Sequence, residues 1–88
     1  MFYMYILRCA DGSLYIGNTS TIDDRVIRHN EGRAECAYTI NRRPVAMAYS
    51  EAFDSRTQAV RRERQIKRWT RAKKEALIAH DPALLKRL

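Results

Sequence analysis

The stretch AVRRERQIKRWTRAKK, residues 59–74, carries eight Lys or Arg side chains and one acid, Glu63. Read as a helix, it sets Glu63 on one stripe with Ala59, Ile66 and Thr70, the side expected to face a core. A carboxylate removed from water must be paired or bound to a metal, because an isolated buried charge is costly. A second helical pattern repeats the oddity. Ile22, Arg25, Val26 and His29 recur at i, i+3, i+4 and i+7, so a guanidinium and an imidazole share the apolar side. Two phenols, Tyr5 and Tyr15, flank an Asp11-Gly12 turn. Each group alone has a structural reading. A buried tyrosine packs with its hydroxyl satisfied, an arginine snorkels, a histidine near a helix C-terminus complements the dipole, and Glu63 could pair with Arg25. Five such groups under a basic surface point instead to chemistry on a polyanion.

The elements that must position these residues are legible. Residues 2–9, FYMYILRC, are aromatic and β-branched enough for a central strand, and LYIGN, 14–18, is the return strand. A two-residue turn would put Tyr5 and Tyr15 on opposite faces of the sheet. A three-residue loop with Gly12 in the left-handed region pairs Leu7 with Tyr15 and Tyr5 with Gly17, and both tyrosines then share a face. Asp11 and Gly12 suit that loop, and Gly17 leaves space above the sheet for a close approach. Thr21 with Asp24 predicts a capping box for a helix over roughly residues 22–31, ending at Gly32. Residues 33–44 read as a loop closed by Pro44, and VAMAYS, 45–50, as a third strand. Ser55 with Gln58 opens the long basic helix, Thr70 caps another through Ile78, and Asp81-Pro82 starts a short final turn. The expected fold class is α+β: a small three-stranded antiparallel sheet flanked by helices, in the order ββαβαα, as one domain over 1–88.

Eighty-eight residues with a formal net charge of +7 allow a thin core only. The charge is uneven: residues 1–50 hold six basic and five acidic side chains, residues 51–88 eleven and five. A nucleic-acid partner follows more naturally than a membrane, because the basic helix lacks a broad apolar face and no run is long enough to span a bilayer. The first residues lack a basic n-region and a cleavage site, and two cysteines, Cys9 and Cys36, have neither disulfide-scaffold nor zinc spacing. Reduced thiols in a cytoplasmic protein are the expectation. Oligomeric state is not encoded in any pattern.

YMY at 3–5 and YIG at 15–17, with Arg25, His29 and Glu63 following, resemble the motifs of the GIY-YIG nuclease superfamily. YILRCADGSLYIG and RRERQIKRW resemble its small stand-alone, YhbQ-like members. Tyr3 and Met4 stand where the family name has Gly and Ile, and Asn18 where some members carry Lys. The resemblance implies a metal-dependent DNA endonuclease. Glu63 would be the sole protein ligand of one divalent cation, Mg²⁺ or Mn²⁺. Tyr5 and Tyr15 would position the attacking water, Arg25 would hold the phosphoryl oxygens, and His29 would compete with the phenols as base. Arg61, Arg64, Lys67, Arg68, Arg71 and Lys74 are expected on phosphates. Single-stranded or structured DNA is favoured, since a thin basic strip does not encircle a duplex. A non-catalytic basic module that binds DNA or RNA is the alternative.

Overall fold

The computed structural model describes residues 1–32 and 37–87. Its elements are β1 (Phe2–Cys9), β2 (Leu14–Thr19), α1 (Ile22–Asn30), α2 (Ala37–Ile40), β3 (Val45–Phe53), α3 (Arg56–Lys67), α4 (Arg71–Ile78) and α5 (Pro82–Arg87). The sheet is antiparallel in the order β2-β1-β3. This is the expected α+β arrangement, with α2 and the final turn α5 added to ββαβαα.

The hairpin has the three-residue loop. Leu7 pairs with Tyr15 and Tyr5 with Gly17. Gly12 sits at φ +85°, its N–H donating to the Cys9 carbonyl, while Cys9 N–H donates to the Ser13 carbonyl. Asp11 caps the loop by accepting from the Ser13 N–H and hydroxyl. A non-glycine residue at that φ would carry a steric penalty.

β1 is buried on both faces, which is why its sequence reads as an almost continuous apolar run. On one side Met4 and Ile6 pack with Ile16, with Ile66 of α3 and with Leu77 of α4. On the other Tyr5, Leu7 and Cys9 pack with Val45 and with Ile22 and Val26 of α1. The helices carrying the candidate residues therefore flank the sheet from opposite sides.

The caps divide. Ser55 and Gln58 form the full capping box of α3, Thr70 accepts from Lys73 N–H, and Asp81 accepts from Leu84 N–H. Thr21 makes no side-chain cap. Its N–H instead donates to Thr19 Oγ1, which also receives Arg25, so the hydroxyl that organises the start of α1 lies two residues earlier than expected. The third strand runs past the expected residue 50 to Phe53, and within it Glu51 pairs with Arg62 at 2.9 Å. Part of the expected loop is the single helical turn α2; residues 33–36, with Cys36, lie outside the described residues. Cys9 is buried and free.

α4 is fastened to the hairpin by side chains. Arg8 of β1 forks onto Glu75 with bonds of 2.9 and 2.6 Å, and Arg71 donates to the Gly12 carbonyl at 2.6 Å and to Glu75 at 3.0 Å. The Arg8 bonds, with Arg71 behind them, pull the Glu75 carboxyl down to about 2.

Candidate active site

Tyr5, Tyr15 and His29 come together on the α1 side of the sheet. Register puts Tyr5 across from Gly17, and its ring lies over that backbone so closely that a Cβ at 17 would stand 2.6 Å from Tyr5 Oη. Tyr5 Oη is 3.3 Å from His29 Nε2, and the Tyr15 and His29 ring centres are 5.4 Å apart. His29 is 2% exposed. Burial pushes its imidazole below the ordinary value, and the charges of Arg25 and Arg28 add to that, so the neutral form dominates at pH 7. Its other nitrogen, Nδ1, is 2.8 Å from Thr39 Oγ1 of α2. In the tautomer that donates from Nδ1–H to the Thr39 hydroxyl, the Nε2 lone pair is turned toward Tyr5.

Arg25 projects from α1 to the end of β2, where Nη2 donates to Thr19 Oγ1 at 2.8 Å. Its Nε is buried with no hydrogen-bond partner among the described residues. An unsatisfied charged donor next to a phenol–imidazole cluster is an arrangement that an anion would complete.

Glu63 reaches β2 from the other side. Its stripe neighbours Ala59 and Ile66 are fully buried, and the Glu63 side chain keeps 13% of its surface exposed; Thr70 falls beyond α3 and caps α4. Glu63 Oε1 accepts from Asn18 Nδ2 at 2.5 Å, and Oε2 meets Lys67 Nζ at 2.7 Å. Its ion pair is thus with Lys67, one turn along α3, and not with Arg25. Asn18 and Thr19 are consecutive residues of an extended strand, so their side chains point to opposite faces. Glu63 and Arg25 therefore grip neighbouring residues of β2 from the two sides of the sheet. β2 is an edge strand of the sheet.

The basic residues are not equivalent. Arg61, Arg64 and Arg68 are exposed and make no ion pair or side-chain hydrogen bond among the described residues. With Gln65 and Trp69 they line a shallow groove of about 420 Å³ on the outer face of α3. Lys74 is half-buried. Lys67 is held by Glu63, and Arg71 by Gly12 and Glu75.

As a cation site, this arrangement offers one carboxylate with an amide beside it. No group of three or more His, Cys, Asp or Glu able to hold a metal exists among the described residues. One carboxylate and one amide are what the described residues supply there. That set fits a hard ion such as Mg²⁺, which takes one or two carboxylates and completes its shell with phosphate oxygens and water.

Thr39, Thr19, Asn18 and Tyr38 were not picked out by sequence patterns as partners of the cluster. Tyr38 stacks obliquely on Tyr15 at 6.0 Å and carries Arg42 over its ring at 4.1 Å. Nothing in a four-residue helical turn inside an apparent loop signals that it supplies the hydroxyl for His29.

No helix of the described residues is long and apolar enough to cross a membrane. The GIY-YIG catalytic domain model matches residues 1–76. A UPF0213 protein of Staphylococcus saprophyticus is 47% identical over 77 residues, 88% of this chain and 93% of that protein. One of Natronomonas pharaonis is 44% identical over 79 residues, 90% of this chain and 92% of its own. The solution NMR structure of a UPF0213 protein from Bacillus halodurans superposes with TM-score 0.59 at 38% identity, covering 94% of this chain and 88% of that one.

Proposed function

Because this chain belongs to the GIY-YIG catalytic domain family, a nuclease family whose members generally use a divalent metal, we propose that it is a divalent-metal-dependent DNA endonuclease. The observation that carries the reading is the position of Glu63. It is the only acid of a basic helix, and it reaches Asn18 on an edge strand whose next residue, Thr19, holds Arg25. A phosphodiester laid along that edge would meet Arg25 on one side and Glu63 on the other. Glu63 would hold Mg²⁺ or Mn²⁺, which supplies charge stabilisation to the phosphoryl group and the leaving oxygen when bound. Arg25 donates to the phosphoryl oxygens as its Nε gains the acceptor it lacks. Tyr5 and Tyr15 orient the water that attacks phosphorus in line. Tyr5 takes the water's proton and passes its own to Nε2 of His29, a neutral imidazole 3.3 Å away. Buried behind the phenols, His29 acts through Tyr5. Arg61, Arg64 and Arg68, and Lys67 once released from Glu63, contact the backbone phosphates. The molecule measures 37 × 31 × 19 Å with one strongly basic helix, so it lies against nucleic acid and does not encircle it, which favours a single-stranded or structured substrate.

A second reading, a non-catalytic nucleic-acid-binding module, draws on one observation: both oxygens of Glu63 already have protein partners. The two separate on Glu63→Gln. Labelled single-stranded, duplex and branched oligonucleotides are incubated with Mg²⁺, Mn²⁺ or EDTA. For a nuclease, cleavage requires metal and falls by a factor of about 10² or more in Glu63→Gln while binding persists. No cleavage of any substrate by the native protein, or equal cleavage by Glu63→Gln, removes the assignment.

A further inference from the structure

We infer that Lys67 is a positioning residue that couples cation binding to nucleic-acid binding. Without nucleic acid it occupies Glu63; on a phosphate backbone it exchanges that carboxylate for a phosphate oxygen and leaves Glu63 open to the metal. The inference rests on Glu63 being the metal ligand. Its own observation is that both carboxylate oxygens are engaged, Oε1 by Asn18 at 2.5 Å and Oε2 by Lys67 at 2.7 Å. These two contacts differ in how readily they yield. Asn18 is an uncharged donor that can rotate to offer its carbonyl oxygen to an ion. Lys67 bears a unit positive charge, offers no acceptor, and cannot share a carboxylate oxygen with a divalent cation without repulsion. It must leave before the ion binds well.

Lys67 has somewhere to go. Its side chain is 52% exposed on a four-carbon stem, whereas Glu63 is 13% exposed and fixed by Asn18. One partner is mobile and the other held, so the lysine is the group that moves. Exposed Arg64 lies on the same helix one turn before Arg68, with Lys67 between them, and a strand drawn to these charges brings its phosphates within reach of the lysine. By linkage, if nucleic acid removes the competitor for the metal, then metal must tighten nucleic-acid binding by the same factor.

An ordinary i,i+4 ion pair would only support the helix. The two roles separate on metal affinity, read by the electron paramagnetic resonance of free Mn²⁺ with the protein alone. Lys67→Met should bind Mn²⁺ about thirtyfold more tightly than the native protein, the effect of removing one unit charge about 4 Å from a doubly charged ion in water-like surroundings. Lys67→Arg should restore native affinity, and Glu63→Gln should abolish the tight site in either background. In EDTA, Glu63→Gln should raise the affinity for a single-stranded oligonucleotide more when Lys67 is present than when it is Met, since only then is a cation released. Unchanged Mn²⁺ affinity in Lys67→Met, with the site still lost in Glu63→Gln, overturns the coupling and leaves Glu63 as ligand. A tight Mn²⁺ site that survives Glu63→Gln overturns both.

Discussion

Gly17→Ala tests the geometry of the phenol cluster at its tightest point. The new Cβ would lie 2.6 Å from Tyr5 Oη, 2.8 Å from Tyr5 Cζ and 3.2 Å from Tyr15 Cε2. Non-bonded carbon contacts settle at about 3.5–4.0 Å, so the Tyr5 ring must retreat by about 1 Å. It has little room: Tyr5 is 2% exposed, Leu7 on the same face is fully buried, and cores of this kind are close-packed. Overpacking of this sort costs about 1–3 kcal/mol. Against it stands the reduced freedom of the unfolded chain when glycine becomes alanine, worth about 0.4–1 kcal/mol. The net expectation is a loss of about 1–2 kcal/mol, read as a lower urea midpoint by far-ultraviolet circular dichroism. The displaced ring also loses His29, so cleavage should fall with it. Tyr5→Phe removes the nearest atom and leaves Cζ, so the double variant should be less destabilised than the two singles summed, by about 1 kcal/mol. A Gly17→Ala protein as stable as the native one, with additive behaviour toward Tyr5→Phe, would mean that the ring does not lie over residue 17.

Tyr5→Phe and Tyr15→Phe should each leave a folded protein that binds oligonucleotide normally; Tyr5→Phe, which removes the hydroxyl that relays the proton, should lower single-turnover cleavage by about 10², and Tyr15→Phe should lower it through the lost positioning of the water. Native cleavage rates in both Phe variants would take the phenols out of the chemistry. Glu75 gives a stability–pH signature. Its folded carboxyl is depressed to about 2 from 4.5, so the Arg8 bond contributes fully above 4.5 and is lost as pH falls from 4.5 toward 2. The pair is part-exposed, at 39% and 34%, and solvent screening holds the effect to less than about 1 kcal/mol. Urea midpoints at pH 6 and pH 3 should therefore converge more in Glu75→Gln than in the native protein.

Much of the fold was readable because local chemistry dictated it. Asp11-Gly12 selects the three-residue hairpin loop, which sets the register and puts both tyrosines on one face. Ser55, Thr70 and Asp81 sit where helices begin. What could not be read depended on tertiary partners. Thr21 satisfies the pattern of a cap, yet Thr19 takes the first polar contacts. The third strand runs three residues beyond the apolar stretch 45–50, with Glu51 held by Arg62 eleven residues on. The periodicity of α1 and α3 shows that Arg25 and Glu63 face inward, but a stripe carries no information about which face of the sheet it will meet. Their approach to one edge strand from two sides is a property of the topology. Thr39, which anchors His29, belongs to a turn too short to have a pattern.

The central place of β1 has a consequence for synthesis. β1 leaves the ribosome before β2 and β3, yet it needs cover on both of its faces and a neighbour along each edge. β2 arrives within a few residues, but β3 pairs with it across residues 45–53, and α3 closes the Met4–Ile6 side later still. Until then the nascent hairpin displays apolar side chains in both directions, an aggregation-prone condition. The same order delays the chemistry. Tyr5, Tyr15, Arg25 and His29 are all translated well before Glu63, so an interrupted chain that holds the phenols and the guanidinium lacks both the acid and the helix that completes the core. The nuclease proposed above would therefore gain its activity only once α3 has been made.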